Sequence, residues 1–426
     1  MTARHDLPSV GTLVHAADLH LGAPLNSLGT KVGEAQAQEL RALAVQAFDR
    51  LVDLTLAQQA DILVLAGDLY DQADYEVGAQ VRFVSAMRRL VEAGVRVFIA
   101  YGNHDPLVST FRPAATLPAE VTVFAADRPQ VHTVALRSGH SVDVAGVSFG
   151  KQHESANLAR RFHQLATNPR RTIGVLHTNV GSNDQHGDYA PCTVADLEVA
   201  PVGYWALGHI HDRTIQSLGA GRWWAYPGNL QGRSTKATEC GPKGALVVPI
   251  LADGFGEPRF HACDTVRFAR SDVDASTADN LGDTLDLIVT QLAELEEQAD
   301  GRSLVARLRL TGSSAAHHAL TTQADLLHLA REQNTTGVLI STIEVATRPR
   351  VDRDQVLARD NLQSDIVRAL DGVDNPSDRL LGLLDGQISG LADARLRKQL
   401  EADPSLANAL LTRVETLLID LLEDPS

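Results

Sequence analysis

Five short runs in the first half of this chain combine residue types that bind cations and move protons. They are Asp18-Leu19-His20, Gly67-Asp68-Leu69-Tyr70-Asp71, Gly102-Asn103-His104-Asp105, the single His177, and Gly208-His209-Ile210-His211. Carboxylate, imidazole and amide side chains without a thiolate make an O/N donor set suited to divalent cations. Imidazoles and carboxylates also serve as general acids and bases. Taken singly, each run has a plainer reading. Asp-x-His is most often a turn, Gly-Asp is a common turn dipeptide, and a lone histidine is more often a core or rim residue than a ligand. Recurrence changes the balance, because every run follows directly on an apolar segment.

Those segments are the elements that must position the runs. Leu13–Ala17, Ile62–Ala66, Val95–Ala100, Val121–Ala125, Ile173–His177, Tyr204–Leu207 and Ala245–Ile250 read as strands. Several are β-branched without alternation, which predicts burial on both faces. Amphipathic helical patterns lie between them, one closed by Gly94. "VHTVALRSGHSVDVAGVSFG" predicts a hairpin turning near Ser138-Gly139. This is a layered α/β domain, and ligands of open α/β sheets collect outside the carboxyl ends of strands. The five runs therefore have one crevice available to them.

The pattern changes near residues 252–272. A helix around "NLGDTLDLIVTQLAELEEQA" and the strands "SLVARLRL" and "GVLISTIEVA" predict a small α+β domain. Beyond about residue 352 the chain reads as helix. Its "DPSLANALLTRVETLLIDLLED" carries an apolar stripe of Ala407, Leu410, Val414, Leu417 and Leu421. The expected domains are thus 1–265, 266–350 and 351–426.

Net charge is −15, unevenly spread: residues 1–250 hold 23 acidic and 21 basic side chains, residues 251–426 hold 30 and 17. The acidity belongs to the C-terminal part and does not bar the first domain from binding an anion. No run of about 18 apolar residues predicts a membrane span. "MTARHDLPSV" lacks a signal-peptide core, and Cys192, Cys240 and Cys263 are scattered, so a reducing cytoplasm is expected.

The order Asp-x-His, Gly-Asp-x-x-Asp, Gly-Asn-His-Asp, His, Gly-His-x-His resembles the calcineurin-like metallophosphoesterase superfamily. Within it, "HAADLHLGAPL", "LAGDLYD", "YWALGHIHDR" and "WWAYPGNLQGR" resemble the SbcD branch of DNA repair nucleases, and its YhaO-type members most. The likeness covers roughly residues 11–250. It implies a four-layer αββα sandwich, followed by an α+β capping domain and a helical C-terminal segment.

The resemblance also implies two divalent metal ions. Asp68 would bridge them, with Asp18, His20 and His211 completing one site and Asn103, His177 and His209 the other. The donor set suits Mn²⁺, with Fe or Zn as alternatives. Water activated by the two metals would attack phosphorus. His104 matches the catalytic histidine that acts on the leaving oxygen, and Asp71 matches the acid that orients it. Arg233, Lys236 and His186 are candidates for contacting substrate, against the plainer reading of solvated loop residues. The implied activity is that of an exonuclease, with endonuclease action also open, on DNA in double-strand break repair. The implied partners are DNA and an SbcC-type SMC-like ATPase docking on the C-terminal segment, with a homodimer left open. Two other classes compete: a phosphomonoesterase or cyclic-nucleotide phosphodiesterase using the same metals, and a non-catalytic scaffold.

Overall fold

A computed structural model describes residues 9–22, 25, 28, 31–71, 77–107, 116–181, 189–350, 353–358, 360–371, 398–399, 403, 405–406 and 409–410. The chain divides into two compact units. The first comprises Met1–Arg270, Leu295–Arg307 and Gly337–Ser341, and the second Ser271–Glu294, Leu308–Thr336 and Thr342–Ser426.

Two sheets face each other in the first unit. One contains β1 (Ser9–Ala16), β2 (Ile62–Ala66), β3 (Arg96–Ala100), β4 (Thr122–Val123), β11 (Gly244–Leu251), β12 (Gly254–Phe255) and β13 (Arg259–Ala262). Its order is β12-β11-β1-β2-β3-β4, with β13 on β11, and β1 to β4 run parallel. The other contains β5 (Gln130–Ala135), β6 (Ser141–Val147), β7 (Thr172–His177), β8 (Tyr204–Gly208), β9 (Thr214–Gly219) and β10 (Arg222–Tyr226). Its order is β5-β6-β7-β8-β10-β9, with β6, β7, β8 and β10 parallel.

Strand alternation sorts the apolar residues into layers. Leu13, Ile62, Val64 and Phe98 of the first sheet meet Val144, Ile173, Val175 and Tyr204 of the second in a shared core. Val14, Leu63, Leu65, Val97 and Ile99 point the other way, onto α2 (Gln46–Ala57) and α3 (Val77–Glu92), while α1 (Glu34–Ala44) packs Ala37 and Leu40 against Val266, Phe268 and Val305. Helix α2 buries Ala47, Phe48, Leu51, Val52 and Thr55, and α3 buries Phe83, Val84, Met87 and Leu90, each at helical spacing. Outside the second sheet, Val147, Leu176, Trp205 and Leu207 pack on Phe162 and on Leu197 of α4 (Val194–Val199). The arrangement is a four-layer αββα sandwich. Fully burying one such large side chain contributes about 1.5–3 kcal/mol.

One expected strand is shorter than predicted. Val121–Ala125 is in strand register with β3 only at Thr122 and Val123; Phe124 N–H still donates to the Ile99 carbonyl at 2.9 Å, and its ring stacks on Phe98 between the sheets.

Around the unit boundary, β14 (Val266–Asp274), β15 (Ser303–Thr311) and β17 (Leu339–Val345) form a sheet in the order β14-β15-β17. Short β16 (Ser313–Ser314) pairs in parallel with β18 (Arg348–Pro349). Helices α5 (Leu281–Gln298), α6 (His317–Thr322) and α7 (Leu326–Gln333) lie between these strands in the chain. Further along, α8 (Arg353–Leu357) and α9 (Leu362–Asp371) meet through Val356, Leu357 and Val367. Of the expected C-terminal stripe, only Leu410 is among the described residues. No helix among the described residues is long and apolar enough to cross a membrane.

A buried polar link ties the two sheets. His15 of β1 is fully buried; its Nε2–H donates to the Leu207 carbonyl at 3.1 Å, and Nδ1 accepts from the Tyr204 hydroxyl at 2.9 Å. Burial pushes the His15 pKa down from 6.5 to about 3. The folded state thus stays neutral where the unfolded chain takes up a proton, so this stability is complete above pH 6.5 and declines toward pH 3. Urea midpoints compared at neutral pH and near pH 5 should show wild type losing about 1–2 kcal/mol more than His15→Met. Equal losses in the two proteins would contradict this assignment.

Candidate metal centre

The predicted runs sit where the parallel strands end. Asp18 and His20 follow β1, Asp68 and Asp71 follow β2, and Asn103 and His104 follow β3. His177 is the last residue of β7, and His209 and His211 follow β8. The sheets come together at this end. His209 N–H donates to both Asp18 oxygens at 3.0 and 3.1 Å, and His177 Nδ1–H donates to the Ala66 carbonyl at 2.9 Å. At Gly208 a Cβ would lie 1.8 Å from the Ala66 carbonyl oxygen, so only glycine permits this approach.

The turns are strained. Asp18, His20, Asp68 and His209 have φ of 51°, 43°, 51° and 103°, and they are half of the non-glycine residues with positive φ among those described. Such conformations cost about 1–3 kcal/mol each and persist where the surroundings impose them. Here a ladder of main-chain bonds does so, from Asp18 N–H to Gly67 O, His20 N–H to Asp68 O and Leu21 N–H to Leu69 O, at 2.7–3.0 Å.

Three groups of ligand atoms result, each with all atoms within 4.8 Å: Asp18–His20–His211, Asp18–Asp68–His177 and His20–Asp71–His104. The His177 and His209 rings lie 5.2 Å apart, and those of His20 and His211 5.3 Å. Asp68, His104, His209, His211, Arg233, Lys236 and Glu239 line a cavity of about 400 Å³. Asp18, His20, Asp68, Asn103, His177 and His209 are buried, whereas the His104 side chain is 43% exposed. His186 lies outside the described residues.

The donor chemistry fits cations. Since His177 donates through Nδ1, its neutral ring has a lone pair at Nε2. That lone pair faces Asn103 Oδ1 at 3.0 Å and Asp68 Oδ2 at 3.5 Å, leaving three electron-rich atoms together. His20 repeats the pattern. Its Nδ1 binds Asp71 at 2.8 Å, and its buried Nε2 has no hydrogen-bond partner among the described residues and lies 4.0 Å from Asp68 Oδ2. Burial, then the Asp68 charge, holds the Asp18 pKa well above the usual carboxylate range. Burial works against ionised Asp68 as well, but His177, His20 and His104 together bring its pKa below the usual value. A positive charge among these groups would relieve both the repulsion and the unmade bonds.

Asp71 does more than orient one histidine. Its Oδ1 accepts from His20 Nδ1 at 2.8 Å and from His104 Nδ1 at 2.7 Å, while Oδ2 meets Arg233 Nη1 at 3.2 Å. The Asp71 bond raises the His104 pKa, with burial opposing it. Asp105 accepts from Gly102, Leu69 and Tyr70 N–H at 2.8, 2.6 and 3.3 Å, fastening the second and third runs together.

Glu239 is a site residue the sequence reading missed. Its Oε1 accepts from His211 Nδ1 at 2.7 Å, and its Oε2 accepts from Asn229 Nδ2 at 2.8 Å and Arg233 N–H at 2.9 Å. Burial would raise its pKa, but the His211 bond and Arg233 bring it down to about 2. A lone glutamate in "STKATECGPKG" follows no strand and carries no spacing signal.

Residues 11–213 match the family of calcineurin-like phosphoesterases, and residues 268–348 match the middle domain of metallophosphoesterase YhaO. Residues 11–213 are thus a calcineurin-like metallophosphoesterase domain, of a hydrolase class whose members bind two divalent metals. It is 29% identical over 303 residues to the uncharacterized metallophosphoesterase YhaO of Bacillus subtilis, covering 71% of this chain and 72% of that protein. It is 29% identical over 234 residues to the DNA double-strand break repair protein Mre11 of Aeropyrum pernix, covering 51% and 53%. With an SbcCD nuclease subunit of Rhodobacter capsulatus it shares 33% over 107 residues, 25% of this chain and 24% of that one. Together these likenesses support an SbcD/YhaO-type metallophosphoesterase. The match spans about half the length of the Aeropyrum pernix relative and about a quarter of the Rhodobacter capsulatus one.

Gly102 offers a test of the centre's geometry. Its φ is not positive, so close approach is what requires glycine. A Cβ there would lie 2.3 Å from Asp68 Oδ1 and 2.9 Å from Asp68 N. Gly102→Ala should leave a folded chain by circular dichroism while Mn²⁺ no longer raises its melting temperature as in wild type. An undiminished Mn²⁺ effect would show that the centre does not depend on this approach.

Proposed function

We propose that the chain hydrolyses phosphodiester bonds of DNA, as an exonuclease with endonuclease action also open to it, in double-strand break repair. In this reading Asp68 would be shared between two divalent cations, with Mn²⁺ preferred to Fe or Zn. Asp18, His20 and His211 would hold one cation, and Asn103, His177 and His209 the other. When bound, the cations supply Lewis acidity toward the phosphate and lower the pKa of water.

The side chains then divide the remaining work. Ionised Asp18 and Asp68 leave two divalent cations with an excess of positive charge, which attracts a phosphodiester even to an acidic protein. Arg233 and Lys236, on the cavity wall, add to that attraction and contact substrate phosphates. His104 is held through Nδ1 by Asp71, which favours the protonated ring and leaves Nε2–H to protonate the departing alkoxide. Its exposure lets it reach a substrate that the buried ligands cannot touch.

The observation that carries this reading is the gathering of five strand-end runs into overlapping clusters of ligand atoms, with one part-exposed, carboxylate-braced histidine among them. The Mre11 and SbcD relatives support DNA as substrate. By the same analogy, residues 266–350 would be the α+β capping domain of such nucleases, and residues 351–426 would dock on an SbcC-type SMC-like ATPase.

Pure protein with Mn²⁺ should degrade linear DNA, and chelation should stop it. His104→Ala should slow the reaction by at least about 100-fold, and Asp68→Ala should remove it. Cleavage of a DNA oligomer should exceed that of a nucleotide monoester or a cyclic nucleotide under the same conditions. The reverse order would favour the small-molecule phosphoesterase reading, and full activity in both variants would reject the mechanism.

A further inference from the structure

We infer that Glu239 is a positioning residue: a buried carboxylate that braces His211 from behind and holds its Nε2 toward the Asp18–His20–His211 cluster. The inference rests on the metal reading of that cluster. Glu239 is 6% exposed and both of its oxygens are engaged. Oε1 accepts the His211 Nδ1 proton at 2.7 Å, which fixes the tautomer with its lone pair at Nε2. Oε2 accepts from Asn229 Nδ2 and Arg233 N–H, so the carboxylate cannot rotate away without leaving two donors unmet. The other side of His211 is fastened too, because Lys243 Nζ donates to its backbone carbonyl at 2.8 Å.

The brace is not an isolated pair. His20 in the same cluster is held through Nδ1 by Asp71, and Arg233 stands between the two carboxylates, with Nη1 3.2 Å from Asp71 Oδ2 and Nη2 3.8 Å from Glu239 Oε1. Both histidines of this cluster are therefore backed by ionised groups and linked through one guanidinium. His177, in the other cluster, is backed by the neutral Ala66 carbonyl. A carboxylate partner makes an imidazole a stronger ligand than a carbonyl partner does. Glu239 thus acts on one of the two cation sites selectively.

Binding of Mn²⁺ to the full chain, counted by the electron paramagnetic resonance of the free ion, tests this apart from activity. Wild type should bind two equivalents. Glu239→Ala should keep one at wild-type affinity and bind the second about 10–100-fold more weakly. Glu239→Gln preserves size, but its amide offers one acceptor where Glu239 serves three donors, so it should fall between the two. The Gln variant carries the test should the Ala variant fail to fold. Two undiminished sites in the folded variants, or an equal loss at both, would overturn the selective brace while leaving the metal reading intact. A wild-type chain that takes up no Mn²⁺ would overturn the metal reading, and the brace with it.

Discussion

Electrostatic repulsion among buried electron-rich atoms is the constraint on which this structure turns. Asp18 and Asp68 lie in one dry crevice, with the lone pairs of His20 and His177 and the amide oxygen of Asn103 directed toward the same place. Desolvating two carboxylates side by side is costly, and the Asp68 charge adds to burial in raising the Asp18 pKa. Such a cluster is tolerable in a folded protein when cations offset it. The chemistry of a metallophosphoesterase follows from that need, since the cations that relieve the repulsion also attract a phosphate ester.

Holding these groups in place requires a rigid frame, and the two sheets supply it. Parallel strands buried on both faces end at one side of the sandwich, so their first loop residues share a crevice without any long-range guidance. Strained backbone at Asp18, His20 and Asp68 is kept by main-chain bonds that run from one strand end to the next, and His209 by its N–H bonds to the Asp18 carboxylate. Behind the ligands stand Asp71, Asp105 and Glu239, each accepting from groups on two or three separate segments. The cluster is thus supported by carboxylates that fasten its histidines and loop amides.

Much of the sandwich is legible in the sequence. The strands before the five runs are apolar and several are β-branched, and β2 lies where its apolar run lies, from Ile62 to Ala66. The hairpin at Ser138-Gly139 joins β5 and β6, with Gly139 at φ 84°. The hairpin of β9 and β10 was missed, because "TIQSLG" is mostly exposed and polar and lacks an apolar face. Its turn at Ala220-Gly221, both with positive φ, was the available signal.

What the sequence alone determined is the identity and order of the donor groups, because they are local: each stands within a few residues of an apolar strand, and strand periodicity is a property of adjacent residues. Only the tertiary structure decided that Asp71 serves two histidines, that Arg233 is drawn between Asp71 and Glu239, and that Glu239 belongs to the site at all. Those relations join segments far apart in the chain through side-chain hydrogen bonds. Hydrogen bonds depend on distances of a few tenths of an ångström, which no one-dimensional pattern encodes.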